Sequence, residues 1–139
     1  MTLYAIRRRV SWGDCDPAGI LYTPRVFDYC TQVIECWYAE VIEADWMSMV
    51  REKRGSPTVH ASCDYIKPMT PGLDLAVTLR IDTLGSASIT FRLEGEDDKG
   101  KIYFRAKYVS CIIDFAHDRA IRIPADWRAR MEAYIAGCD

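Results

Sequence analysis

Histidine is nearly absent: the chain has two among 139 residues. Its six cysteines, at positions 15, 30, 36, 63, 111 and 138, include no Cys-x-x-Cys pair. Together these facts give no zinc pattern. There is no run of about 18 apolar residues, so no membrane span is expected. Neither charge sign dominates, since 18 Lys and Arg stand against 20 Asp and Glu. The formal net charge of −2 gives no case for nucleic acid as the main partner. The segment Met1 to Arg9 has no apolar core followed by a cleavage site, so a secretory signal is not expected. Repeats, low-complexity tracts and linkers are missing too, and one domain over 1–139 is expected.

What is present is an ordinary globular balance, half hydrophobic and 27% charged. A chain this long can bury about two-thirds of its unfolded surface without staples. Most of the cysteines fall in helix-like or strand-like runs. They read as small buried hydrophobes in a reducing, cytoplasmic setting rather than as disulfide partners.

One stretch stands out, Trp12 to Pro24. It holds Asp14, Asp16, Gly13, Gly19, Pro17 and Pro24 between two apolar elements. Before it, residues 3–12 read as a strand, with Arg7, Arg8 and Arg9 on a solvated, alternating pattern. After it, Thr23 is suited to cap a helix and Pro24 to its first position. Tyr22 and Phe27 stand where a hydrophobic staple would form. Val26, Phe27, Cys30, Val33, Ile34, Trp37 and Val41 then recur at helical spacing, which predicts a helix over 24–43. A short second helix is expected from about Glu43, capped by Asp45 and stopped near Arg54-Gly55.

From Pro57 the period changes to two. Strands are expected over Thr58–Lys67, Leu75–Asp82, Ser88–Glu94, Lys101–Phe115 and Ala120–Ile123. A closing helix follows Pro124. Strands and helices are segregated, which predicts an α+β fold with an antiparallel sheet wrapped around the 24–43 helix.

The segment Gly13-Asp14-Cys15-Asp16-Pro17-Ala18-Gly19-Ile20 resembles the active-site segment of the 4-hydroxybenzoyl-CoA thioesterase family. Gly55-Ser56-Pro57, Lys67-Pro68, Pro71-Gly72 and Ile123-Pro124-Ala125-Asp126 extend the likeness over nearly the whole chain. The resemblance implies the hotdog fold and hydrolysis of an acyl-CoA thioester without metal or other cofactor. It also implies active sites between subunits of a homodimer, usually within a homotetramer. Asp16 matches the catalytic carboxylate of the family.

A carboxylate here can attack the thioester carbonyl or serve as general base for water; the sequence leaves both open. The oxyanion would take a backbone donor at the helix start, and the Thr23 N–H matches the family's donor position. Gly19 would let the chain turn so that Asp16 and the helix end face one carbonyl. Asp14 reads as a structural acid of the loop. An Asp-x-Asp pair can also hold Mg²⁺, but no third acid stands nearby. His60 either touches the acyl pocket or is a half-buried strand residue. His117 reads as solvated in a turn, and Trp37, Trp46 and Trp127 as packing.

Three departures from the family bear on substrate. Thr23 stands where the 4-hydroxybenzoyl enzyme has Tyr, and Tyr22 is the neighbour able to line the pocket instead. Thr31 stands where that enzyme has an acid for the substrate phenol. Benzoyl, another aryl group or a short acyl group therefore joins 4-hydroxybenzoyl as a candidate. Gly85 to Ser88 replaces basic residues that would hold CoA phosphates. That leaves Ser88 at the substrate position, with Lys67, Arg92, Arg119 and Arg122 as alternative grips. The competing readings are a hotdog domain that binds acyl thioesters or partners without hydrolysis, and a dehydratase, which would want a histidine at the catalytic position.

Overall fold

A computed structural model describes residues 3–138. Met1, Thr2 and Asp139 lie outside it, and so do the extreme ends of the expected 1–139 domain. The chain opens with β1 (Tyr4–Arg9), a 3-10 turn (Trp12–Asp14) and α1 (Arg25–Trp37). A π-helical turn (Tyr38–Ile42), α2 (Trp46–Glu52) and β2 (Arg54–Gly55) follow. Then come β3 (Thr58–Tyr65), β4 (Asp74–Leu84), β5 (Ser88–Glu96) and β6 (Ile102–Cys111). The chain closes with β7 (Ile113–Asp114), β8 (Arg119–Ala120) and α3 (Ala125–Gly137).

The main sheet has five antiparallel strands in the order β1-β4-β5-β6-β3, and β2, β7 and β8 form a small second sheet. Register shifts between Thr58 and His60 and between Ile81 and Thr83 interrupt the ladders, and α1 packs on β4 and β1. The α+β hotdog arrangement expected from the sequence is therefore present.

Alternation decides which face is inside. Leu75, Val77 and Leu79 of β4 turn inward with Ile89, Phe91 and Leu93 of β5. They meet Val26, Tyr29, Cys30, Val33, Ile34 and Trp37 of α1, all buried. Burying one such side chain contributes about 1.5–3 kcal/mol. Trp37 lies at the centre, edge-on to Tyr38, Phe91 and Tyr134. Trp127 packs against Tyr38, so the packing expected of these tryptophans is found. The Tyr134 hydroxyl donates to the Leu79 carbonyl at 2.6 Å and ties α3 to the sheet.

Several expected boundaries move: the 3–12 strand ends at Arg9, the 58–67 strand at Tyr65, and the 120–123 strand becomes Arg119–Ala120. The helix over 24–43 is not one α-helix. It passes into the π turn after Trp37, and the Tyr38 carbonyl then accepts N–H bonds from both Glu43 and Ala44. α2 does start on Asp45, whose carboxylate accepts the Ser48 N–H at 2.8 Å. It stops at Lys53, in the left-handed region at φ 55, ahead of Gly55. The strand expected over Lys101–Phe115 breaks at Ile112. That side chain is fully buried and its N–H bonds the Ala87 carbonyl, so residues 113–114 join the small sheet.

β3 is different from the other strands. It is an edge strand, and all its residues are exposed except half-buried Cys63.

Candidate active site

The acid-rich stretch folds as a tight hairpin. The Asp16 carbonyl accepts the Gly19 N–H at 2.9 Å, and the Asp16 N–H donates to the Ile20 carbonyl at 2.9 Å. Cys15 and Leu21 pair as a bridge below the turn. This is a three-residue hairpin loop with glycine in the left-handed last position, φ 80. Pro17 presets its own φ for the turn. One Asp16 oxygen, Oδ1, accepts the Ala18 N–H at 2.9 Å. The other meets no donor among the described residues.

Two anchors hold the hairpin on the core. Leu21 is buried and its N–H donates to the Met69 carbonyl at 2.8 Å. Asp14 accepts the Tyr29 hydroxyl at 2.7 Å, while its carbonyl takes the Tyr22 N–H at 2.9 Å. The Arg8 guanidinium lies 4.2 Å over the Tyr29 ring and also bonds Gln32. The Tyr29 hydrogen bond holds the Asp14 carboxyl below the usual range. Asp14 thus behaves as a structural acid, though its side chain bonds a helix tyrosine.

A cavity of about 420 Å³ opens beside the turn, lined by Trp12, Cys15, Asp16, Pro17 and Gly19. Trp12 is 82% exposed there. Sequence reasoning placed it at the end of a strand and missed it as a site residue. The available signal was a large aromatic next to two acids in a loop.

The helix start differs in detail from expectation. Thr23 makes no side-chain cap; Pro24 already has helical dihedrals and α1 begins at Arg25. The reason is a turn in which the Tyr22 carbonyl takes the Arg25 N–H at 2.8 Å, so that donor needs no side-chain acceptor. Tyr22 is 52% exposed. The Thr23 N–H has no partner among the described residues. The Thr23 carbonyl accepts the Tyr65 hydroxyl at 2.5 Å. Tyr65 is a second residue that sequence reasoning missed.

The remaining candidates are scattered. Thr31 is exposed on α1, near Tyr108, whose hydroxyl donates to the Phe27 carbonyl. Lys67 is exposed just beyond Tyr65. His60 is exposed on β3, with Nε2 3.2 Å from the Ser62 hydroxyl. His117 is exposed and 2.7 Å from Asp114. Tyr65 lies opposite Phe104, which lies opposite Gly95, whereas Ser88 lies opposite Cys111. Ser88 is thus seven residues away along β5, about 23 Å at roughly 3.3 Å per residue. One protomer does not bring Ser88 or His60 to the end that carries Tyr65. Arg92 is ion-paired with Asp82 and Glu94. Arg122 lines a recess of about 370 Å³ with Gly85, Ser86 and Arg128. Among the described residues, no group of three His, Cys, Asp or Glu side chains is placed to hold a metal ion. No helix among them is long and apolar enough to cross a membrane.

Comparison with known proteins decides the family. A model of the thioesterase-like superfamily matches residues 10–131. The chain belongs to that superfamily. A 1,4-dihydroxy-2-naphthoyl-CoA hydrolase of Picosynechococcus is 29% identical over 98 residues, covering 68% of this chain and 66% of that relative. The chain therefore spans just under two-thirds of that relative's length. A solved thioesterase-superfamily structure from Jannaschia has 30% identity and a TM-score of 0.87, covering 96% of this chain and 93% of its own. A 1,4-dihydroxy-2-naphthoyl-CoA thioesterase from Synechocystis has a TM-score of 0.84 at 21% identity, covering 93% of this chain and 95% of its own. The resemblance read from the sequence holds at the level of the thioesterase-like superfamily. The Picosynechococcus relative and the Synechocystis structure carry naphthoyl names rather than 4-hydroxybenzoyl ones.

Proposed function

We propose that this chain is an acyl-CoA thioesterase that hydrolyses an aromatic acyl-CoA to the free acid and CoA. The carrying observation is Asp16: a carboxylate fixed by its own turn through Oδ1, with its second oxygen meeting no donor among the described residues beside a cavity. As nucleophile, that oxygen attacks the thioester carbonyl. The resulting oxyanion collapses, the C–S bond breaks and CoA leaves as thiolate. Water then cleaves the acyl-aspartyl anhydride, and Asp16 returns to its carboxylate. As general base, Asp16 instead takes a proton from the attacking water. Both routes need a donor for the oxyanion, and the unpartnered Thr23 N–H serves. Losing such a donor typically costs about 3 kcal/mol in the barrier.

Trp12 supports an aromatic acyl group, because an exposed ring beside the reacting carboxylate offers a stacking face. The relatives' names put 1,4-dihydroxy-2-naphthoyl-CoA beside 4-hydroxybenzoyl-CoA and benzoyl-CoA as substrates to assay. Thr31 would meet a ring hydroxyl with a neutral partner, and exposed Tyr22 would line the approach. The exposed edge of β3 supports a homodimer or a tetramer of dimers. Antiparallel pairing of two β3 edges sets the Thr58 end of one copy against the Tyr65 end of the other. Ser88 and His60 of a second copy then approach this Asp16, with Lys67 or Arg122 available to CoA phosphates.

The test is thiol release from a panel of aryl-CoA and short acyl-CoA thioesters by wild type and Asp16→Ala. Wild type is expected to turn over an aryl-CoA, and Asp16→Ala to lose on the order of 10²–10⁴-fold in kcat while staying folded. Binding of acyl-CoA by wild type without any hydrolysis would replace this reading with the non-catalytic one.

A further inference from the structure

We infer that Tyr65 is a positioning residue of this site, holding the backbone of Thr23 so that its N–H stays aimed where the oxyanion forms. The inference rests on the thioesterase reading of Asp16. Its basis is one contact: the Tyr65 hydroxyl donates to the Thr23 carbonyl at 2.5 Å, across 42 residues of sequence. Tyr65 is 43% exposed, so its ring is not a core side chain whose position follows from packing alone.

Thr23 lies between two peptide planes, and each has one hydrogen bond to hold it. In the plane before it, the Tyr22 carbonyl accepts the Arg25 N–H at 2.8 Å. That peptide is trans, so its C=O and N–H point in opposite directions. A Tyr22 carbonyl directed into the helix therefore turns the Thr23 N–H outward, away from α1. In the plane after it, the nitrogen belongs to Pro24 and carries no hydrogen. The carbonyl is that plane's only hydrogen-bonding group, and Tyr65 takes it. The helix thus holds the first plane, and the ring-locked φ of Pro24 (−70) together with the bond from β3 holds the second. Burial pushes the Tyr65 hydroxyl up to about 12, which keeps it a donor at neutral pH.

An oxyanion donor is effective because it needs no reorganisation when charge develops. Freeing the second plane lets the Thr23 torsions drift, which harms the transition state more than the bound substrate. The test is Tyr65→Phe, which removes the hydroxyl and keeps the ring. With the aryl-CoA that wild type turns over, kcat is expected to fall about 10-fold with KM within twofold. Amide exchange over residues 23–28 is expected to accelerate in the variant, while melting changes little. A kcat within twofold of wild type, a loss carried by KM, or unchanged exchange at 23–28 would each overturn the inference and leave the Asp16 reading intact. A wild type that hydrolyses no acyl-CoA overturns both. Should Tyr65→Phe fail to fold, Tyr65→His, which keeps a donor, is expected to fold and retain more of kcat than Tyr65→Leu; equal loss in the two sinks the idea.

Discussion

Asp14 and Asp16 sit two residues apart and do different work because of what each one bonds. The Tyr29 hydroxyl holds Asp14, and that bond chiefly lowers its carboxyl below the ordinary value of 3.8. A lowered folded pKa means the unfolded chain binds the proton more readily. The stabilisation is complete above about pH 4 and is lost as pH falls through the folded value. Urea unfolding at a series of pH values should therefore show wild type losing more stability than Asp14→Asn as pH falls below about 4. Parallel curves in that window would assign the acid sensitivity to other groups. The sequence marked Asp14 as structural, but not its partner, because Tyr29 fell outside the apolar stripe counted on the helix. Tyr65 and Trp12 were harder still. A bond across 42 residues leaves no trace in local periodicity, and an exposed tryptophan at a strand end looks like any other.

At the scale of elements, the hairpin depends on Gly19. A Cβ there would meet nothing within 4 Å, so space is not the constraint. The constraint is φ 80, which costs an L-residue about 1–2 kcal/mol. Gly19→Ala is expected to lose that much stability and to lower kcat several-fold as Asp16 is displaced, read by denaturation and thiol release. A variant as stable and as active as wild type would show that the turn has another way to close. This element was legible in advance because glycine, proline and acids punctuate it. The helix cap was not. Thr23 has the chemistry of a cap, yet the carbonyl of the preceding Tyr22 reached Arg25 and removed the need. The strand over 101–115 was misjudged in the same way. Its apolar run continues through Ile112, but the burial of that side chain diverts the backbone into another sheet.

At the scale of the molecule, segregated strand and helix patterns were enough to expect α+β, and the element order with the family resemblance of residues 13–20 narrowed this to hotdog. The distribution of the site was not readable, since spacing in sequence says nothing of which candidates share an end of the sheet. Ser88 and Tyr65 lie about 23 Å apart by strand rise in one copy. A site that uses both requires a second copy. Light scattering on the purified chain is expected to give at least twice 15.9 kDa. A fully active species at 15.9 kDa would rule out shared sites and leave Ser88 and His60 without a role.

The turn that carries Asp16 is fastened by main-chain bonds: Asp16 to Gly19 and Ile20, Leu21 to Met69, and Tyr22 to Asp14. The side chains of Trp12, Ala18, Ile20 and Tyr22 form none of these bonds. A lineage can exchange those side chains and still inherit the carboxylate proposed to react in the same place. Mechanism and substrate are therefore separately heritable in this architecture, so new acyl groups can be recruited by changes that never touch the reactive turn.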